Sequence, residues 1–397
     1  MFCDRTGVVK AFFLAGCLMA GSLSGGLAWA EDGVTATTIK IGAFGPLTGS
    51  SSMYGYPINN GAFAVYKDIN DQGGINGRKI EIVHEDDGCD PAKARAAVKK
   101  LIHSEKVFMV HGGSCSGAVV ATRDEYIDNK VPFVVMAAAL DRISVPTNRY
   151  IFTTMLPASV DAVVMFEFAK SKPNLKRVAI VKHANEWADS RVIGLTKAIK
   201  DAGLLLVADV TVEPKATDAT SQVLKLKEAA PDAIFSILYP GESAIFLRDA
   251  NKYGLKGPFI STTGTMDLLD LAERSGNAAA AKEFYTVSFM RSPIGAPDVQ
   301  KYTDVYKKYF PNDKLQTLSF YGMSGAFTII DALRRAGPDL TREKFIAAME
   351  TTKDGNAGPA ACKVNLSKDR HQGCLEGTIW GLRDGKIVNI GMTYPKN

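Results

Sequence analysis

The chain has 397 residues, 46% of them hydrophobic and 22% charged, with a formal net charge of +5. That length accommodates two ordinary domains, and that balance of apolar to charged residues excludes disorder as the default state. The basic residues are scattered instead of gathered into runs, which removes the electrostatic footprint of a nucleic-acid binder.

The first thirty residues differ from the rest. Arg5 and Lys10 precede an uncharged stretch, Ala11 to Ala30, that closes on Ala28-Trp29-Ala30, the small-x-small pattern of a signal-peptide cleavage site. We read residues 1–30 as an export signal that is removed. A rival reading lies in the same segment, because Leu14-Ala15-Gly16-Cys17 also looks like the site at which bacterial lipoproteins are cut and acylated. The apolar run before Cys17 is short and continues past it, which favours cleavage after Ala30. No later stretch approaches the roughly 18 to 20 consecutive apolar residues that span a bilayer.

Once Cys3 and Cys17 are set aside, Cys89, Cys115, Cys362 and Cys374 remain, an even number that suggests disulfides in an exported chain. Several pairings are open; proximity favours Cys89 with Cys115 and Cys362 with Cys374. Each bond would contribute about 3 kcal/mol in the chain-entropy model.

After Asp32 short apolar or β-branched runs alternate with longer helical patterns, the signature of an α/β domain with a mainly parallel sheet. The first series runs: strand 39–44, helix 57–70, strand 79–85, a helix with Asp90 as N-cap and Pro91 at its first position, strand 107–111, helix 118–128 and strand 132–136. A second series begins near Met155: helix 159–171, strand 177–182, helix 188–201, strand 204–212, helix 220–229, strand 232–238, helix 242–253 and strand 258–261. Two such sets predict two similar lobes facing each other across a cleft, with ligand at the carboxyl ends of the strands beside helix N-termini. From about Gly358 the pattern changes to a polar turn between Cys362 and Cys374 and a hairpin, 378–382 with 387–392, joined through Asp384-Gly385. We read it as a β addition to the second lobe.

Gly45-Pro46-Leu47-Thr48-Gly49, Tyr54-Gly55, the segment from Asp68 to Gly77 and Asp86-Asp87-Gly88-Cys89-Asp90-Pro91 together resemble the leucine/isoleucine/valine-binding family of periplasmic solute-binding proteins. In this order and spacing they are specific, and the similar layout extends over nearly the whole chain after residue 30. The resemblance implies a type I periplasmic binding protein: two Rossmann-like lobes, three crossover segments and a hinge. The crossings fall near 153–157, 286–289 and 356–359, so that 31–154 plus 290–356 form the first lobe and 155–289 plus 357–397 the second. It also implies a disulfide between Cys89 and Cys115, whereas Cys362 with Cys374 is not part of the family pattern. The implied partners are a small-molecule ligand and the permease and ATPase subunits of an ABC importer, with the binding protein a monomer.

The resemblance places ligand contacts at Ser116 and Gly117, where helix N-H groups and the serine hydroxyl face a carboxylate. Ser116 as a plain helix cap is the competing reading. Ala137, Ala138 and Ala139 lay their backbone along the ligand, although at Ala139 the amino-acid binders carry threonine. Tyr54 and Trp187, both placed in loops, and Tyr239 form aromatic walls; simple packing is the alternative for each. Leu318 supplies an apolar contact. Thr263 stands where the amino-acid binders have a glutamate that pairs with the α-ammonium. A buried ammonium without an anionic partner is costly, so either Glu242 or Asp267 substitutes, or the ligand is an acid without an ammonium; the balance favours the second. Arg191 and Arg291 are candidates for a bidentate carboxylate contact, against the commoner reading of surface arginines.

Enzyme readings find little support. The five histidines are scattered without a metal-ligand pair. The run from Gly112 to Gly117 approaches Gly-x-Ser-x-Gly without matching it. No dinucleotide or ATP loop follows a strand, so no cofactor is expected and the ATPase is another chain. The alternative function is a free periplasmic sensor that docks on a membrane receptor.

Overall fold

The computed structural model describes residues 31–49, 51–264, 267–276 and 280–394. The expected export signal at 1–30 and the Cys17 alternative lie outside the described residues.

The strands of the first series, β1 (Thr38–Gly45), β2 (Lys79–Asp86), β3 (Met109–Gly112) and β4 (Phe133–Val135), form a parallel sheet with one strand beyond those expected, β5 (Ile151–Thr153), in the order β2-β1-β3-β4-β5. β3, β4 and β5 are buried throughout, which is why β3 and β4 read as continuous apolar runs instead of alternating ones. The connecting helices are α1 (Ser52–Asp71), α2 (Pro91–Lys99) and α3 (Ser116–Asp128). Asp90 caps α2 as its place before Pro91 predicts, its carboxylate accepting from the N-H groups of Ala92 at 2.8 Å and Lys93 at 2.9 Å.

α1 starts at Ser52, not at Pro57 as expected. Pro57 lies in the second turn, where its missing N-H leaves only the Met53 carbonyl without its helical donor, a tolerable loss near a helix end. Tyr54 therefore stands on the helix and not in a loop.

The second series supplies α4 (Ala158–Lys170), β6 (Arg177–His183), α5 (Glu186–Asp201), β7 (Leu205–Val212), α6 (Thr220–Ala229), β8 (Ala233–Ile237), α7 (Pro240–Tyr253) and β9 (Phe259–Ser261), and two elements beyond those expected follow, α8 (Leu268–Arg274) and β10 (Phe284–Ser288). α5 begins before the expected residue 188 because Asn185 caps it, accepting from the Ala188 N-H at 3.0 Å; Trp187 is thus also helical. The chain returns to the first lobe through α9 (Gln300–Tyr309), α10 (Thr317–Ala336) and α11 (Arg342–Glu350); α9 and α10 pack on α1, and α11 packs on α10. It closes with the hairpin β11 (Gly377–Arg383) and β12 (Lys386–Tyr394). The second sheet has the order β12-β11-β10-β9-β8-β6-β7, parallel from β10 through β7, with β11 antiparallel to both neighbours. Asp384 and Gly385 both take positive φ, 50° and 72°, the backbone that a two-residue hairpin turn needs.

Two α/β sheets thus make two lobes. Near the expected crossings the strands are tied to one another. The Arg291 N-H donates to the Pro359 carbonyl at 2.9 Å and the Ala361 N-H to Phe289 at 2.8 Å. The Thr153 N-H donates to His371 at 2.8 Å and the Gly373 N-H to Thr153 at 2.9 Å. Cys362 and Cys374, bonded with Cα atoms 5.6 Å apart, join the ends of these two pairings. Cys89 and Cys115 form the other disulfide, at 5.5 Å, and hold the turn after β2 to the start of α3.

Candidate functional site

Segments that follow strands of the two sheets meet, Tyr54 approaching Tyr239, Arg142 pairing with Glu186 and the Ala158 N-H donating to Ala139, and the residue types there set the chemistry of the cleft between them. In the first lobe β3 runs through Gly112 into α3, whose first residue is Ser116. Ser116 makes no capping hydrogen bond; its hydroxyl is buried and has no partner. Gly117 is exposed, and a side chain built there would meet no atom within 4 Å. The first N-H groups of α3 have no intrahelical acceptor and carry the positive end of the helix dipole. Ala137, Ala138 and Ala139 follow β4 and are buried, with Ala139 accepting from the Ala158 N-H at 2.8 Å. The Ala137 carbonyl accepts from the Tyr54 hydroxyl at 3.5 Å.

The opposite wall is aromatic. Trp187, in the first turn of α5, stacks on Tyr239, the residue that precedes α7, at 4.4 Å between centroids. His183, at the end of β6, meets Tyr239 edge-on at 4.9 Å. Tyr54 reaches across from the first lobe to within 6.2 Å of the Tyr239 ring. Burial pushes Tyr239 up to about 12, while the Asn185 hydrogen bond and the Arg191 charge pull the other way. Burial and the neighbouring Tyr239 and Tyr321 raise Tyr54, again against Arg191. Burial also holds His183 below its ordinary value, partly offset by Glu242.

Beneath this wall lies a buried polar cluster. Arg191 and Asp161 are both fully buried and paired at 2.8 Å through the guanidinium Nε. The Arg191 Nη1 donates to the Trp187 carbonyl at 2.9 Å, and the guanidinium lies 4.6 Å from the Trp187 ring centroid. Its Nη2 is buried without a partner. The fork expected to grip a carboxylate bidentately is therefore divided: Nε and Nη1 serve the protein and Nη2 remains. Asp161 also accepts from the hydroxyls of Thr262 and Thr263, the latter at 2.8 Å, and from the Thr263 N-H at 3.2 Å.

Thr263 thus faces inward onto Asp161. Glu242 faces His183 at 3.7 Å, and Asp267 accepts from the Thr317 hydroxyl at 3.0 Å while capping α8. Leu318 is buried in the first turn of α10; one turn on, Tyr321 packs against Phe289 at 4.6 Å. Arg291 is exposed, and its backbone pairs with Pro359.

Sequence reasoning missed Asp161, Thr262, Tyr321 and His183. Asp161 did carry a signal: it is the single acid in the apolar first half of α4, Ala158 to Phe166, and a charge on an apolar face calls for a buried partner. Elsewhere, a cavity of about 240 Å³ opens between α1 and α10. Its acids Asp68 and Asp331 are already paired with Lys308 and Arg335.

Comparison with known proteins agrees with this architecture. Residues 38–380 match the family model described as periplasmic binding protein. A leucine-, isoleucine-, valine-, threonine- and alanine-binding protein of Pseudomonas aeruginosa is 26% identical over 334 residues, covering 83% of this chain and 88% of that one. A branched-chain amino acid ABC transporter protein of Thermus thermophilus with bound valine superposes with a TM-score of 0.82 at 22% identity, covering 91% of this chain and 97% of the other. An ABC transporter solute-binding protein of R. palustris in complex with benzoate gives 0.75 at 21% identity, covering 89% and 96%. With the model matching most of the chain, and with two parallel-dominated sheets meeting at the carboxyl ends of their strands, this chain belongs to the periplasmic binding protein family.

Proposed function

We propose that the protein is the solute-binding subunit of an ABC importer and captures a small carboxylate-bearing solute, an aromatic or short aliphatic acid or a branched-chain-type amino acid, between two closing lobes. It binds and does not catalyse. One observation carries the reading: among the buried side-chain atoms without a partner are two donors at the strand-end site, the Ser116 hydroxyl in the first turn of α3 and the Arg191 Nη2 beneath Trp187. Ser116 and Gly117 at the start of α3, the backbone of Ala137 to Ala139 and the apolar Leu318 form the first-lobe side. Tyr54, Trp187, Tyr239, Arg191 and Thr263 enclose the solute from above and behind.

The lobes comprise 31–154 with 290–356, and 155–289 with 357–397, turning about the three crossings. The export signal at 1–30 delivers the chain to the periplasm, where the closed monomer presents its surface to the permease that the ATPase drives. Solved relatives with valine and with benzoate in the same fold support a carboxylate as the common element of the ligand.

Trp187 provides the test. Titration of the purified protein with small carboxylates, followed by tryptophan fluorescence, is expected to give saturable changes that Trp187→Phe removes. Ser116→Ala is expected to weaken binding at least 10-fold, the loss of a hydrogen bond to a charged group. Binding unchanged by Ser116→Ala would rule out this cleft as the site.

A further inference from the structure

Chain order assigns the tail after residue 356 to the second lobe, but the hydrogen bonds divide it differently. After α11 the chain runs beside the second crossing, where the Arg291 N-H donates to Pro359 and the Ala361 N-H to Phe289, and then turns back. The Gly355 N-H donates to the Val364 carbonyl at 2.8 Å and the Leu366 N-H to Thr352 at 3.0 Å. The next residues are held by the first lobe. The Thr147 hydroxyl donates to the Asp369 carbonyl at 2.8 Å, and the Gln372 side-chain amide to Asp141 at 3.2 Å. His371, buried, donates from Nδ1 to the Ile151 carbonyl at 3.0 Å and stacks on Phe152 at 3.9 Å. Its carbonyl and the Gly373 N-H take both backbone groups of Thr153, at the first crossing. Only past Cys374 does the chain join the second sheet, as β11.

The Cys362–Cys374 bond spans only 12 residues of sequence, so its reach depends on what its ends adjoin. Cys362 follows Ala361, which is bonded to the second crossing; Cys374 follows Gly373, which is bonded to the first, and opens the third. A hinge works through a few residues that absorb changes of φ and ψ. Segments cross-linked side by side absorb them together or not at all. We infer that this disulfide clamps the three crossings into one band, so that the lobes swing about a single axis instead of twisting or sliding past each other. The inference rests on the two-lobe reading and moves one boundary: 364–373 travel with the first lobe, and the third crossing lies at 374–377. Without the bond the open form has more arrangements, from which a solute must select the one that closes. The clamp narrows that choice.

Two measurements on the exported protein test this without any solute. Spin labels at Asp124→Cys in α3 and Lys200→Cys in α5, both exposed, report the distance between the lobes by electron-electron resonance. Cys362→Ala with Cys374→Ala is expected to widen that distance distribution at least twofold. Amide exchange at Thr153, Ala361 and Gly373 should then quicken at least 10-fold, while Val110 and Ile234, bonded inside the two sheets, keep their rates. Should the alanine pair not fold, Cys362→Val with Cys374→Ala refills the buried space and carries the same expectations. A distribution as narrow as that of the wild type in the folded variant overturns the clamp. So does exchange that quickens equally at all five amides, since the bond then serves stability alone. A distribution already wide in the wild type overturns the clamp and leaves the two-lobe reading standing. One narrow distance that neither bond removal nor a saturating carboxylate alters overturns the closing motion itself.

Discussion

Asp87 is fully buried in the turn after β2, with one carboxylate oxygen accepting from the Cys89 N-H at 2.8 Å and the other without a partner. Burial, aided by the negative charges of Asp86 and Asp90 and opposed by the Cys89 hydrogen bond, pushes it up to about 6. An unfolded aspartate titrates near about 3.9, so protonation favours the fold. Its contribution is fully present below about pH 4 and is lost as the pH rises through about 6. Buried His84 and His111, drawn down to about 4 and about 3, gain stability over the same range in any variant, so urea denaturation is expected to show the loss as a difference, the wild type falling by about 2 kcal/mol relative to Asp87→Asn between those values. Asp86 does not mask it: burial would raise that group, but the Thr48 hydroxyl and the Leu47, Gly88 and Thr48 N-H groups draw it to about 2, so its contribution falls away only in stronger acid. The same contrast limits what single residues reveal in a sequence. Ser116, Trp187 and Arg191 were legible as candidates from motif and strand-end position. Their partners were not, because Asp161, Arg191 and Thr263 come from three separate segments that only the folded second lobe brings together.

At the scale of elements, α1 and α10 show what a linear reading leaves out. Neither was legible as half of a pair, since more than 240 residues separate them, yet they approach until backbone meets backbone. A Cβ on Gly61 would lie 1.9 Å from the Ser319 carbonyl oxygen, and one on Gly322 equally close to that of Ile58. No rotamer relieves such an overlap, so the helices must separate. Gly322→Ala is expected to lower the unfolding free energy by about 1–3 kcal/mol, measured by urea denaturation. It should also weaken solute binding, because α10 carries Tyr321 into the cleft. The alternation from β1 to β4 and from α4 to β9, by contrast, was readable from period and punctuation alone, as was the hairpin turn at Asp384-Gly385, whereas β5, α8, β10 and α9 to α11 were not named from the sequence. Helix starts were misplaced where a cap or an early turn was not recognised, at Ser52 and Asn185.

Across the whole molecule, contacts join the lobes on several sides of the cleft. Arg142 pairs with Glu186, Lys314 with Asp270 at 2.5 Å, and Tyr54 approaches Tyr239. In the proposed function these are contacts of the closed form, which a solute stabilises only by the difference between its affinities for closed and open states. The two-lobed layout was visible in the order of elements and in the resemblance; the closure contacts were not, since each pairs side chains from opposite lobes. The proposed function places a carboxylate between the Ser116 hydroxyl and the Arg191 Nη2. The most direct test is a crystal structure with the tightest-binding small carboxylate, whose carboxylate is expected within hydrogen-bonding distance of both atoms with Asp161 still paired to Arg191. A ligand bound outside the cleft, or one in the cleft whose carboxylate leaves Nη2 unpartnered, would contradict it.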